Sequence, residues 1–337
     1  MPQPTPVLSQ GIIDLHLNGL TVPGLNRGLP EIIDFSAEDL TLDQVRRATA
    51  QIVSGGTTKF LATLITGTPE TTERNVGILA EAMKHPWGDP ILGVHLEGPF
   101  FSRQCRGAHQ EALVREEADI GLFRRFFDAA DGKIVLTTVS PTIRGAAPFI
   151  EEIIKMGVVV SIGHHNADVT QIKEAFAAGA TGVTHAGNAW SKEAPPDGRK
   201  NMEVITQLIN PNSFVMVIPD GVHVNETFIQ CVYTVVESVK PGRIIWVSDG
   251  SAFAGAPEGD YTFGGETVRI GRDERGAIRT FPLTGSYLSL SECLDVLRAM
   301  CIVPEVDIRR GATSNPLSFV SGALERINRC PDISTLS

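Results

Sequence analysis

The chain is 337 residues long, enough for one large domain or two ordinary ones and for a sizeable buried core. Hydrophobic residues make up 42% and charged residues 20%, the balance of a soluble globular protein. The net charge of −10 argues against nucleic-acid or anionic-membrane partners but leaves room for a local basic pocket.

The five cysteines, Cys105, Cys231, Cys293, Cys301 and Cys330, are scattered and form no CxxC pair. They read as free thiols of a reducing compartment, which makes the cytoplasm the expected location. The opening "MPQPTPVLSQ" has no basic stretch followed by an apolar run, so no secretory signal is expected. No segment approaches the roughly 18 apolar residues of a membrane span.

In chain order, strands are predicted at 11–17, 57–65, 91–96, 133–139, 157–163, 181–186, 213–219 and 243–249. These runs are short, rich in β-branched residues and continuously apolar, as parallel strands covered on both faces are. Helical segments fill the gaps, at 37–56, 69–85, 116–130, 147–157, 168–179, 202–210 and 225–238. Several begin near Ser, Asp or Asn and end near Gly. Eightfold strand–helix alternation predicts a single α/β domain, a (β/α)8 TIM barrel, and the alternative open sheet lacks a GxGxxG turn. The segment 261–285 breaks the alternation and reads as a small β-hairpin inserted after strand eight. A helix at 289–302 and a last helical turn near 306–320 follow. The barrel is assigned to residues 11–325, with 1–10 and 326–337 as terminal extensions, and the tail "LERINRCPDISTLS" is expected at the surface or loosely packed.

Functional groups of such barrels sit at the C-terminal ends of strands. His16 falls late in strand one, Glu97 after strand three, His164 after strand five and His185 after strand six. His223 follows strand seven and Asp249 closes strand eight. A single strand-end histidine is more often a hydrogen-bonded structural residue, and a lone Glu97 or Asp249 would serve as a helix cap. The set carries more weight than its members. Glu97, His164 and His185 supply the three protein ligands that a catalytic zinc takes, with one position left for water. Such an ion lowers the water pKa to about 7, and Asp249 is placed to take the proton and return it to a leaving amine. His165, adjacent to His164, cannot share its orientation on a strand and is expected to support the ligands or face the substrate. His95 is expected to point away from the neighbours of Glu97 and to be structural.

The motifs "GIIDLHLNG", "HLEGPF", "GAHQ", "SIGHHNA", "THAGNA", "DGVHV", "SDGSA", "LTGSYLSLSECL" and "ATSNP" occur in this order. Over residues 11–320 the chain resembles the N-acetylglucosamine-6-phosphate deacetylases of the amidohydrolase superfamily. The resemblance implies that Glu97, His164 and His185 bind one divalent metal, zinc first, with iron, manganese or cobalt also accepted. It implies that Asp249 is the general base and acid, and that His109, in "GAHQ", contacts the substrate and polarises its acyl group. His223 and the backbone around Asn188 and Ala189 match positions that hold a sugar phosphate. The reaction implied is removal of the N-acetyl group from an amino sugar, such as N-acetylglucosamine 6-phosphate, giving the amine and acetate. A homodimer with an arginine reaching into the partner's site is also implied.

Three departures stand out. No strand-rich tail follows "ATSNP", so the family's β-sandwich is not expected. Strand one carries His16-Leu17-Asn18 where many members have His-x-His, which favours one metal over two. The loop after strand six reads "SKEAPPDGRK", and Arg199 is the best candidate for a phosphate contact, with Lys192 and Lys200 as rivals. The alternative is an amidohydrolase for a different N-acyl or cyclic amide in a specialised pathway. A non-catalytic binding barrel is disfavoured, because unpaired buried charges would be costly to keep.

Overall fold

Six consecutive buried residues make β1 (Ile12–Leu17) a strand covered on both faces, and the pattern recurs around the central sheet. The computed structural model describes residues 11–24, 30–189, 202–263, 266–329 and 331. Arg199, Lys192 and Lys200 therefore lie outside the described residues. After β1 the chain turns through an antiparallel pair, β2 (Gly19–Val22) and β3 (Glu31–Asp34), which the apolar pattern did not announce. Helix α1 (Leu42–Ser54) follows, started by a reciprocal capping box between Thr41 and Gln44.

Strand–helix units then run β4 (Thr57–Leu64), α2 (Pro69–Ala82), β5 (Ile91–Glu97), α3 (Ile120–Ala129), β6 (Ile134–Val139) and α4 (Ala146–Lys155). They continue with β7 (Val159–Ile162), α5 (Val169–Ala177), β8 (Gly182–Val183), α6 (Met202–Leu208), β9 (Phe214–Val217), α7 (Glu226–Val239) and β10 (Ile244–Trp246). The eight-stranded parallel sheet has the order β1-β4-β5-β6-β7-β8-β9-β10. Its two edges meet where the Asn18 N–H donates to the Gly250 carbonyl at 2.9 Å. Asp14 bridges the same seam, accepting from the Ser248 hydroxyl at 2.5 Å and the Ser248 N–H at 3.3 Å. Burial raises the Asp14 pKa to about 6, although its hydrogen bonds from Ser248 and His16 pull the other way. The architecture is the expected TIM barrel.

The insertion after the eighth barrel strand is larger than a hairpin. It is a three-stranded antiparallel sheet of β11 (Gly259–Phe263), β12 (Glu266–Arg272) and β13 (Ile278–Phe281). Among the described residues it packs through Val268 and Ile270 against Phe253 and Ala256.

The C-terminal part also differs from expectation. After α8 (Leu290–Met300) come two helices, α9 (Glu305–Ala312) and α10 (Ser314–Arg326), rather than one turn. Leu317, Phe319, Val320, Ala323 and Leu324 of α10 join the barrel residues Ile13, Leu15, Leu92, Val135 and Ile245 in one buried cluster. The Arg326 guanidinium donates to the carbonyls of Gly157, Gly132 and Ile134, and Arg329 donates to those of Gly88 and Ile91 and to Met83. These carbonyls precede or open β5, β6 and β7, so α10 and the residues just after it close the end of the barrel opposite the strand C-termini. The stretch "LERINR" is thus packed, not loose. Among the described residues no β-sandwich accompanies the barrel, and no helix is long and apolar enough to cross a membrane.

Candidate active site

Four residues at the C-terminal rim adopt left-handed backbone conformations: His164 (φ 51°), His185 (φ 28°), Ala189 (φ 49°) and Asp249 (φ 50°). Such conformations cost a non-glycine residue roughly 1–3 kcal/mol and persist where surrounding structure fixes them. Each falls just beyond a barrel strand, at the mouth of the cleft.

Glu97, the last residue of β5 and 3% exposed, stands at the centre. Its Oε1 lies 3.0 Å from His164 Nε2 and 2.8 Å from His185 Nε2. Its Oε2 lies 3.1 Å from His16 Nε2 and 3.7 Å from His109 Nε2. Burial alone would raise the Glu97 pKa, but the surrounding imidazoles, His16 first, hold it well below the usual carboxylate range. His164 is fixed from behind. Its Nδ1–H donates to the Cys105 carbonyl at 2.9 Å and its ring stacks on Phe101 with centroids 4.2 Å apart. Burial pushes its pKa down to about 4 despite the pull of Glu97, so the ring is neutral and Nε2 presents a lone pair to the carboxylate.

That arrangement tests whether a metal fits. A neutral imidazole lone pair facing a carboxylate oxygen is repulsive unless a cation lies between them, and ligands sharing one zinc ion sit about 3 Å apart. The metal-competent groupings are His16 with Glu97 and His185, and Glu97 with His109 and His164, each with ligand atoms within 4.8 Å of one another. Both share Glu97. The expected trio of Glu97, His164 and His185 converges on the Oε1 oxygen, and its donor set suits a divalent ion.

Asp249 faces this group from just beyond β10. Its Oδ1 accepts from Asn18 Nδ2–H at 2.9 Å and lies 3.3 Å from His16 Nε2, while its Oδ2 lies 3.8 Å from His223 Nε2. His16 thus sits between two carboxylates. Burial opposes its charge, but Glu97 and then Asp249 outweigh that and raise its pKa to about 9. The Thr66 N–H donates to His109 Nδ1 at 3.2 Å, which leaves the ring proton on Nε2, toward the cleft. His223 is held by Asp220, whose Oδ2 accepts from Nδ1 at 2.7 Å, and its buried Nε2 has no hydrogen-bond partner among the described residues. Burial works against protonation of His223, but Asp220 and then Asp249 raise its pKa, while Arg279 opposes them.

Glu97, His109, His164, His185, His223, Asn188, Ala189 and Asp249 all line one cleft of about 260 Å³, together with Asn18, Asp34 and residues 283–285. A hollow of about 470 Å³ between Pro99, Arg115 and α3 is larger but contains no imidazole and no cluster of metal-binding groups. His165 is not among the cleft residues. Its Nε2 lies 3.3 Å from Gln207 Oε1 and its Nδ1 accepts from the Ala167 N–H, so the expectation of a substrate contact gains no support from its placement. His95 departs from expectation differently. Residues two apart on a strand share a face, so it points into the same interior as Glu97. Its ring lies 4.7 Å from that of His16, and its Nε2 lies 2.8 Å from Thr138 Oγ1. Sequence reading missed Asp220, Thr66 and Asn18 as positioning groups. Of these only Asp220 left a signal, an acid three residues before His223 at a strand end.

Residues 7–319 match the amidohydrolase family, and the chain belongs to that family. Within it, the chain is similar to N-acetylglucosamine-6-phosphate deacetylases, as the motifs predicted. The enzyme of that name from Caenorhabditis elegans is 27% identical over 329 residues, covering 95% of this chain and 75% of the relative. The one from Haemophilus influenzae is 32% identical over 270 residues, covering 78% and 64%. The crystal structure of N-acetyl-D-glucosamine-6-phosphate deacetylase from Mycobacterium smegmatis aligns with a TM-score of 0.78 at 30% identity, covering 93% of this chain and 78% of that one. A mutant of the same enzyme, solved in complex with N-acetyl-D-glucosamine-6-phosphate, gives a TM-score of 0.78 at 29% identity.

Proposed function

We propose that the protein removes the N-acetyl group from an amino sugar carrying an anionic group, N-acetylglucosamine 6-phosphate being the first candidate, and releases acetate and the free amine. The observation that carries this reading is the convergence of His164 and His185 on one oxygen of Glu97, with Asp249 facing them across the same cleft. The similarity to deacetylases of known structure supports it.

Glu97, His164 and His185 would hold one divalent ion, zinc by the donor set, which supplies Lewis-acid polarisation and lowers the pKa of water to about 7. The chain's own groups do the rest. His109 Nε2–H donates to the acyl oxygen as negative charge develops there. Asp249 takes a proton from the attacking water as the new C–O bond forms, and gives it to the amine nitrogen as the C–N bond breaks. Asn18 holds Asp249 in line through Oδ1. His223 and the backbone at Asn188 and Ala189 take the anionic end of the sugar, with Arg199 as a further contact. A homodimer and a reducing, cytoplasmic setting belong to the same reading.

The test is acetate release across N-acetyl hexosamines, with and without phosphate, on protein of measured metal content. One equivalent of metal and activity abolished by chelation are expected. Asp249→Asn should lower kcat by about 10²–10⁴-fold, the usual worth of acid–base assistance. Stoichiometric absence of metal, or full activity in Asp249→Asn, would overturn the proposal. Faster turnover of another N-acyl or cyclic amide than of any amino sugar would move the substrate assignment while keeping the site.

A further inference from the structure

The reaction cleft has a neighbour. A chamber of about 210 Å³ adjoins it, and Leu283 and Gly285 line both spaces. Asp220, Arg279, Tyr287 and Val296 contribute the chamber's other walls. From this juxtaposition we infer that Arg279, on the inserted sheet, is a specificity-determining residue that binds the anionic group of the substrate. This rests on the deacetylase reading above and adds to it a cation from outside the loop after β8.

Arg279 sits on β13 and is half-buried. Its guanidinium lies over the Phe281 ring at 4.9 Å, and its Nε–H donates to the Thr280 carbonyl at 3.3 Å. Among the described residues it has no carboxylate partner. Its neighbours on the same sheet do: Arg269 pairs with Asp260 at 2.9 Å and Arg272 with Glu258 at 3.1 Å. Those two satisfy their charge at the protein surface. Arg279 instead has its planar face fixed by an aromatic ring while its donor edge has no acid to meet.

The one acid in the chamber does not compete. The Asp220 carboxylate already accepts from the N–H groups of Val222 and His223 at 2.9 Å each, from His223 Nδ1 at 2.7 Å and from the Ser286 hydroxyl at 3.0 Å. On the cleft side, His223 Nε2 is buried with no hydrogen-bond partner among the described residues. A guanidinium without an acid partner among the described residues and an imidazole edge without a hydrogen-bond partner therefore flank adjoining spaces. A phosphate oxyanion is the ligand that a forked guanidinium suits best, because two N–H groups reach two oxygens together. A neutral hydroxymethyl group offers a single oxygen and no charge to balance the guanidinium.

The test uses metal-loaded full-length protein and the variants Arg279→Gln and Arg279→Lys, with N-acetylglucosamine 6-phosphate and N-acetylglucosamine as paired substrates. Arg279→Gln should raise KM for the phosphorylated sugar by about tenfold to hundredfold, the worth of a charge-assisted hydrogen bond. It should leave kcat and the unphosphorylated substrate within about threefold. Arg279→Lys should recover part of the loss. Calorimetric binding of glucosamine 6-phosphate should weaken by the same factor as KM rises, with an unchanged melting temperature as the control for folding. An unchanged KM and product affinity would overturn the inference, as would equal losses on both substrates. If wild-type protein releases no acetate from either sugar, the deacetylase reading fails. The affinities of glucose 6-phosphate and glucose for wild-type and Arg279→Gln protein then still decide whether Arg279 binds the anion.

Discussion

At Asn18 the chain places an amide where an imidazole would have been a metal ligand, and the structure shows what the amide does. Its Nδ2–H donates to Asp249 Oδ1, so a weak ligand has become a guide for the carboxylate that moves the proton. Asn18→Ala should lower kcat by roughly tenfold, with KM little changed, because the lost bond is to a charged group. A simple packing defect would lower stability and leave kcat per folded molecule unchanged. The Asp220–His223 pair makes a second case at this scale. Asp220 is held below its ordinary range, so its contribution to stability is present above about pH 4 and is lost as pH falls. His223 is raised, so its contribution is present below about pH 6.5 and is lost as pH rises through its higher folded value. Asp249 and Arg279 also act on this ring, in opposite senses. The destabilisation caused by His223→Gln, measured by urea unfolding, should therefore be greatest between those limits and shrink on either side. A flat difference would mean that the pair is not ionised as described. The identities of the site residues were legible because histidines and acids recur at strand ends. Who holds whom was not, because the Asn18–Asp249 and Glu97–His16 contacts join residues 231 and 81 positions apart.

Among elements, those whose partners lie on both faces were the easiest to read. β6, IVLTTV, is buried at every position, and no solvent-facing periodicity competes with its β-branched run. β2 and β3 have four residues each and mix apolar with polar ones, so nothing in GLTV or EIID marks them as a pair. The inserted sheet was visible as an interruption, but its third strand depends on pairing with β12 rather than on its own composition. α10 was misjudged because its apolar stripe has no neighbour in sequence. Its partners are the N-terminal ends of barrel strands, brought there only when the barrel closes. Leu324, fully buried in that cluster, tests the correction. Leu324→Ala should destabilise the protein by about 2–5 kcal/mol, as cavity-forming core substitutions do, while kcat per folded molecule stays unchanged. A loosely packed tail would give a change within about 0.5 kcal/mol.

Over the whole molecule, closure at one end and charge at the other depend on each other. The barrel seam is sealed by Asp14 against Ser248, and a few residues above it Glu97 and Asp249 face His16, His164 and His185 inside a buried rim. A rim with several carboxylates and imidazoles and little water pays for itself only through mutual pairing or through a bound cation, because isolated buried charges are costly. A ligand that binds the folded state alone stabilises it by about 4 kcal/mol at a thousand times its dissociation constant. For a domain of this size that corresponds to a rise in melting temperature of roughly 6 °C. Chelated protein should therefore melt about that much lower than protein refilled with zinc. Glu97→Gln should abolish most of the rise, because Glu97 is the residue shared by both groupings able to hold an ion. Calorimetric scans of chelated and refilled samples of both proteins give the answer without reference to any substrate. An equal zinc-induced rise in both would place the ion elsewhere and remove the physical basis for Asp249 as the proton carrier.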